Sequence, residues 1–202
     1  MAGLTLGPLS NRSVNVCVDM QRLFSAEGPW PTPWMEERLP AIKAVAERFP
    51  ERTIFTRFIP PRDRDDLPGM WRRFYRRWEP VTLRHLDPSL IGLVDSLAAL
   101  VPPAVIFDKS VYSPFARSSR FLAHLHGRGA DTLIVTGAET DVCVLATVLG
   151  AVDSGLRVVV VAYAVCSASN TGHDALMTLY GERFGEQVEV ADVETVLREW
   201  PS

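Results

Sequence analysis

The chain is poor in cysteine. Cys17, Cys143 and Cys166 are the only three among 202 residues, odd in number, widely spaced and without a C-x-x-C pair. Neither a disulfide framework nor a structural zinc site is suggested, so reduced thiols are expected. Histidine is equally scarce. His124 and His126 stand two apart, so on a helix they face different ways and cannot share a metal as an i, i+4 pair would; His85 and His173 have no companion at ligand spacing. No metal is expected. Basic residues are not in excess, and a net charge of −3 leaves no electrostatic footprint for nucleic acid or an anionic membrane surface. No apolar run approaches the roughly 20 residues that cross a bilayer. The opening MAGLTLGPLSNRS also lacks the basic and then apolar pattern of a secretory leader, so a soluble cytoplasmic protein is expected. No G-x-G-x-x-G or G-x-x-x-x-G-K-[ST] follows the first apolar run, which removes the main support for nucleotide binding. No repeat, biased segment or linker divides the chain, and one domain over residues 1–202 is expected, with residues 1–13 as a loose arm.

What is present suffices for one substantial core, with 47% of residues hydrophobic and 22% charged. The run Thr132 to Val135 stops at Thr136-Gly137-Ala138-Glu139-Thr140, and a helical pattern of Val144, Leu145, Val148 and Ala151 follows at once. That reads as strand, sharp turn, helix. Cys143 falls in the expected first turn of the helix, where unpaired N–H groups and the positive end of the macrodipole favour a thiolate. The plainer reading is a buried apolar cysteine.

Other segments supply the rest of an α/β pattern. Val14 to Val18 is a β-branched strand ending at Asp19, Thr53 to Phe58 a second strand, and Ala104 to Phe107 a third, ending at Asp108-Lys109. Arg157 to Val161 and Val188 to Val190 complete the set, with Cys166 in a loop beyond the former. Helices are expected from Pro33 to Pro50, Pro88 to Leu100, through Phe121 and Leu125, from His173 to Phe184 and from Val193 to Trp200. The alternation predicts a doubly wound, mostly parallel six-stranded sheet with helices on both faces. Asp19, Lys109 and the turn before Cys143 then share the carboxyl edge, where such sheets bind ligands. Singly, each has a plain alternative: an Asp capping a turn, a solvated Lys.

One more stretch is unusual. In Trp71-Arg72-Arg73-Phe74-Tyr75-Arg76-Arg77-Trp78 the aromatics fall at i, i+3, i+4 and i+7, giving one aromatic helical face and one arginine face. Flanking acids and the net charge count against nucleic-acid stacking. The helix is expected to pack on the domain or a partner subunit, to wall the active pocket as a lid, or to do both.

The elements V-C-V-D-M-Q at 16–21, K-S-V-Y-S-P-F at 109–115 and G-A-E-T-D-V-C-V at 137–144 resemble the signature of the isochorismatase-like cysteine hydrolases. Ala164 to Ser169 resembles the family's alanine and serine loop. The resemblance implies a catalytic triad of Asp19, Lys109 and Cys143, and a non-proline cis peptide between Ala138 and Glu139. It also implies an oxyanion hole from the N–H groups of Glu139 and Cys143. Such a triad unites a sulfur nucleophile, a base and an ammonium. Thr140 and Asp141 are expected to cap the cysteine helix. The metal-binding histidines of the family's nicotinamidases are absent after the second strand, where Arg57-Phe58-Ile59-Pro60-Pro61 stands. Tyr163 occupies the position of the family's usual aspartate before Ala164, which puts the anchoring of that loop in question. Cys143 points to hydrolysis of a C–N bond in a small amide, carbamoyl or ureido compound, without a cofactor. Two alternatives are vinyl-ether hydrolysis, needing a pocket cation from Arg57, Arg62 or Arg117, and a non-catalytic scaffold. Gln21, Phe24, Trp71, Trp78, Tyr112 and Phe115 are the candidate substrate contacts, with Gln21 orienting Asp19. Relatives suggest a homo-oligomer, dimer or tetramer.

Overall fold

The computed structural model describes residues 4–116 and 119–202. Six strands form one sheet: β1 (Ser13–Val18), β2 (Thr53–Phe58), β3 (Val105–Lys109), β4 (Thr132–Ala138), β5 (Arg157–Cys166) and β6 (Val188–Ala191). Their order is β3-β2-β1-β4-β5-β6 and every pairing is parallel, so the expected mostly parallel sheet is wholly so among the described residues. From β1 the chain winds outward through β2 and β3, then returns to lay β4 on the other side of β1. The carboxyl ends of β1 and β4 thus flank the point where strand order reverses, where such sheets open a crevice.

Apolar alternation along the strands feeds two cores. Val14, Val16 and Val18 of β1 face one way, into a core with Phe121, Leu125, Val148 and Tyr180, while Cys17 faces the other, with Ile42, Val45, Leu97 and Trp200. The first face is covered by α4 (Phe121–Gly127), α5 (Leu145–Asp153) and α6 (Asn170–Arg183). The second is covered by α1 (Met35–Arg48), α3 (Asp95–Ala98) and α7 (Val193–Glu199); α2 (Met70–Arg77) stands at the carboxyl edge. No helix among the described residues is long and apolar enough to cross a membrane.

Three expectations are corrected. The helix expected from Pro88 to Leu100 is a short turn, Pro88–Ile91, followed by the four residues of α3. Between them Leu93 bridges Gln21, the Gly92 carbonyl accepts from Arg22 N–H and Val94 N–H donates to the Met20 carbonyl. The backbone exiting β1 takes the hydrogen bonds that a continuous helix would have kept. Strand β5 runs on to Cys166, which pairs with Ala138 and is buried, so this cysteine is not in a loop. The arm before β1, expected to be loose, is tied down from Leu4 onward: Thr5 and the Leu6 N–H bond Glu189, Arg157 bonds the Gly7 and Pro8 carbonyls, and Leu9 is buried.

Glu189 is the hub of that tether, since it also accepts two bonds from Arg157 at 2.9 and 2.6 Å. Removing one partner of such a poorly exposed pair leaves the other charge uncompensated. Glu189→Ala is expected to cost about 3 kcal/mol in urea unfolding and to expose the bonds around residues 5–8 to proteolysis; an unchanged midpoint with an intact arm would contradict this role.

Candidate active site

Asp19 follows directly on β1 and is the one non-glycine residue among those described with positive φ, at 48°. That left-handed turn is disfavoured for a residue with a Cβ. It is held by hydrogen bonds: Asp19 N–H donates to the Thr56 carbonyl and hydroxyl, and the Gln21 N–H donates to the Asp19 carbonyl at 2.8 Å. The carboxylate is fixed at both oxygens. Oδ1 accepts from the Thr56 hydroxyl at 2.6 Å, and Oδ2 from Lys109 Nζ at 2.5 Å. Lys109, the last residue of β3, reaches across the end of β2, donates also to the Val111 carbonyl at 3.3 Å, and lies 5.4 Å from the centre of the Phe58 ring. Both side chains are almost wholly buried, 1% exposed for Asp19 and 2% for Lys109. Burial disfavours the ammonium, but the Asp19 carboxylate and the Cys143 side chain outweigh it, and the Lys109 pKa is raised.

Cys143 reaches this pair from the far side of the reversal point. Strand β4 comes close enough because Gly137 has no side chain: a Cβ there would lie 2.1 Å from the Val18 carbonyl oxygen, and its φ is 103°. The Ala138–Glu139 peptide is cis, at the position implied by the resemblance. The chain then makes one widened, π-type turn, Thr140–Val144, before α5 begins at Leu145. Cys143 sits in that turn, with its side chain close enough to Asp19 and Lys109 to feel both charges. The expected thiolate is not favoured. Burial, and then the Asp19 carboxylate, push the thiol well above its ordinary value, and the opposing pull of Lys109 does not reverse this. The balance favours the protonated thiol, with the Asp19 carboxylate beside it.

Thr140 and Asp141 do not cap the helix, as no side-chain cap is made at Glu139 or Val144. They bind across to the next elements instead. Thr140 Oγ1 is 3.0 Å from His173 Nδ1, and Asp141 accepts from Ser167 at 2.6 Å. Gly172 makes room, since a Cβ there would stand 2.3 Å from Asp141 Oδ2. These contacts anchor the loop after β5 without the family's aspartate; Tyr163 is exposed and lies 3.8 Å below the Arg38 guanidinium.

A cavity of about 370 Å³ opens above Cys143. Among its walls are Phe24, Trp71, Trp78 and Tyr112, as expected, together with Trp30, Phe58, Phe74 and Glu139. The aromatic face of α2 is turned to this cavity, while Arg72, Arg73, Arg76 and Arg77 are exposed. Trp30 joins the parts, with ring centres 6.1 Å from Phe24, 6.0 Å from Phe58, 5.9 Å from Phe74 and 5.6 Å from Trp78. The sequence signal for it was its place between Pro29 and Pro31, just after Phe24. Glu139 accepts from the Thr32 hydroxyl at 3.1 Å. Burial raises its pKa, the Thr32 hydroxyl opposes, nearby Asp141 raises it further and the Ala168 N–H opposes.

Residues 13–192 match the model of the isochorismatase domain. The chain belongs to the isochorismatase family. Over 142 residues it is 29% identical to the maleamate amidohydrolase of Pseudomonas putida, a stretch covering 70% of this chain and 63%, less than two thirds, of that protein. Among solved structures, a cysteine hydrolase from Pseudomonas syringae pv. phaseolicola superposes with a TM-score of 0.82 at 22% identity, covering 99% of this chain and 97% of that one. An N-carbamoylsarcosine amidase from Thermoplasma acidophilum gives 0.70 at 20% identity, covering 90% and 96%. At these identities the structural likenesses speak for the fold.

Two expected substrate contacts of this isochorismatase-family chain lie elsewhere. Gln21 is fully buried and stitches backbone: its amide donates to the Phe58 and Ile91 carbonyls and accepts from the Phe58 N–H at 2.7 Å. Thr56, not Gln21, orients the Asp19 carboxylate. Phe115 packs edge-on against Phe121 and against Gly150, behind the site. Of the arginines considered as pocket cations, Arg57 is paired with Asp108 by two bonds of 2.8 Å, Arg62 is not among the cavity walls, and Arg117 lies outside the described residues. No cluster of His, Cys, Asp or Glu that could hold a metal ion occurs among the described residues.

Cys143 borders the cavity, whereas Cys17 and Cys166 are sealed in the core with thiols pushed up by burial to about 12. Iodoacetamide is expected to label Cys143 alone in the folded protein, with a rate rising up to about tenfold per pH unit from neutral into the alkaline range. Peptide mass spectrometry checks both points; a rate already at its plateau at neutral pH would show a preformed thiolate.

Proposed function

We propose that the protein is an amidohydrolase that cleaves a C–N bond of a small amide, carbamoyl or ureido compound through a thioester on Cys143. The observation that carries the reading is the nearness of the Cys143 thiol, which borders the cavity, to the buried pair of the Asp19 carboxylate and the Lys109 ammonium. The relative whose name describes an amide hydrolase supports the same bond type.

On this reading Asp19 takes the thiol proton as Sγ attacks the carbonyl carbon, so that thiolate character develops only while substrate is being attacked. The carbonyl π electrons move to oxygen, where the N–H groups of Glu139 and Cys143 stabilise the charge. Asp19 then returns the proton to the departing nitrogen as the C–N bond breaks and the thioester forms. A water that gives its proton to Asp19 attacks the thioester, and the released sulfur regains a proton. Lys109 stays charged throughout, holding Asp19 in place and balancing whichever partner carries the negative charge. The bonds from Thr56 to Oδ1 and from Lys109 to Oδ2 hold the carboxylate in place, and each oxygen keeps a second lone pair with which it can exchange a proton with the sulfur.

Cys143→Ala is expected to lower ammonia release from a panel of primary amides and ureas by at least about 10³-fold, with the thermal unfolding midpoint nearly unchanged because the exchange removes one small, poorly exposed atom. Asp19→Asn should be comparably inactive. Retained turnover in Cys143→Ala would refute the nucleophile assignment.

A further inference from the structure

The cavity has an unbalanced chemistry. Among the described residues lining it there is no arginine or lysine, and the ammonium beneath it, Lys109, is already committed to Asp19. The arginines of α2 face away to solvent, and Arg38, which packs over Tyr163, is not one of the walls. The charged wall group is the Glu139 carboxylate, which accepts from the Thr32 hydroxyl, has Asp141 nearby and has no Arg or Lys beside it among the described wall residues. Among the wall rings several pairs meet at steep angles, 56° between Trp30 and Phe74, 82° between Trp30 and Trp78 and 56° between Trp71 and Tyr112, while Phe24 with Trp30 and Phe74 with Trp78 are nearer to parallel at 26° and 37°. Planes that differ this much cannot form one continuous stack, so a group held among these rings meets them from more than one direction. An aromatic cavity with one carboxylate attracts alkylammonium groups and repels anions.

We propose that the amide taken by this cavity carries a cationic alkylammonium group, seated against Trp30, Trp71, Phe74 and Trp78 with Glu139 as its counter-ion. This rests on the reading of the site as an amidohydrolase and adds the charge of its substrate. A carboxylate-bearing amide would meet Glu139 and the rings with no cation among the described wall residues to receive it. A neutral amide of the same shape would fill the cavity without using the carboxylate.

The test uses two homologous series of primary amides, one ending in trimethylammonium and the other in the isosteric tert-butyl group, with maleamate as the anionic probe. For the wild-type protein, kcat/KM is expected to be at least tenfold higher for the trimethylammonium series than for its isosteres, with maleamate poorest. Glu139→Gln should bring the two series together chiefly through KM. Equal or better use of the tert-butyl series, or a preference that survives Glu139→Gln, overturns the proposal. Calorimetric binding of both series to Cys143→Ala separates the two readings. Tenfold tighter binding of the cation supports the seat even if the wild type releases no ammonia, an outcome that would instead sink the amidohydrolase reading. Equal binding, or none, overturns the seat.

Discussion

The ion pair between Asp19 and Lys109 is the constraint around which the rest of the carboxyl edge is arranged. Two opposite charges removed from water each lose several kcal/mol of hydration, which their attraction recovers only when geometry is good and remaining valences are filled. Here they are filled, by the Thr56 hydroxyl on one side and the Val111 carbonyl on the other. Meeting that demand needs strands in a particular order: β3 to carry Lys109, β2 between them to supply Thr56 and the Phe58 ring, and β1 to end in the left-handed Asp19. After burial, which is the larger influence, the pair also acts on the sulfur beside it. Because Lys109 already neutralises Asp19, it cannot give its full attraction to a thiolate, and the Cys143 thiol holds its proton until, on the proposed mechanism, attack begins.

Above that polar floor the structure is organised by aromatic contact. The Pro-rich stretch after Phe24 holds Trp30 among rings from three separate parts of the chain, and α2 is placed by contacts of Trp71 with Tyr112 and of Phe74 and Trp78 with Trp30. Such pairs add roughly 0.5–1.5 kcal/mol each beyond their buried area. Tyr75, on the same helix, is fully buried in the core, which fastens the helix as wall. On the proposed mechanism, a ring-lined chamber over a buried ion pair makes polar interactions with a reacting carbonyl stronger than they would be in water.

Much of this was legible in the sequence because it rests on local pattern. The β-branched runs read as strands, one followed directly by Asp19 and another ending in Lys109, and the break after Val135 marked the approach to the turn that carries Cys143. What was not legible depended on the direction a side chain takes after tertiary docking. Gln21 looked like a neighbour of Asp19 but sends its amide to the backbone of Phe58 and Ile91, and Phe115, two residues beyond Ser113, turns behind the site onto Gly150. Thr56 is an ordinary strand residue in sequence; only the parallel pairing of β1 with β2 brings it to the carboxylate. The expected helix over 88–100 lost to hydrogen bonds with the chain leaving β1, which no periodicity reports. The thiol's proton affinity was misread for a related reason: helix position favours a thiolate, but burial and Asp19 weigh more.

The central claim is that sulfur, carboxylate and ammonium act as one covalent device, and the most direct measurement is intact and peptide mass spectrometry of enzyme acid-quenched during turnover of an amide it hydrolyses. The account predicts an added mass equal to the acyl portion of that amide, located on the peptide containing Cys143 and lost on standing in water before the quench. Steady turnover with no adduct on Cys143 at any quench time, and with turnover persisting after that cysteine is alkylated, would contradict it.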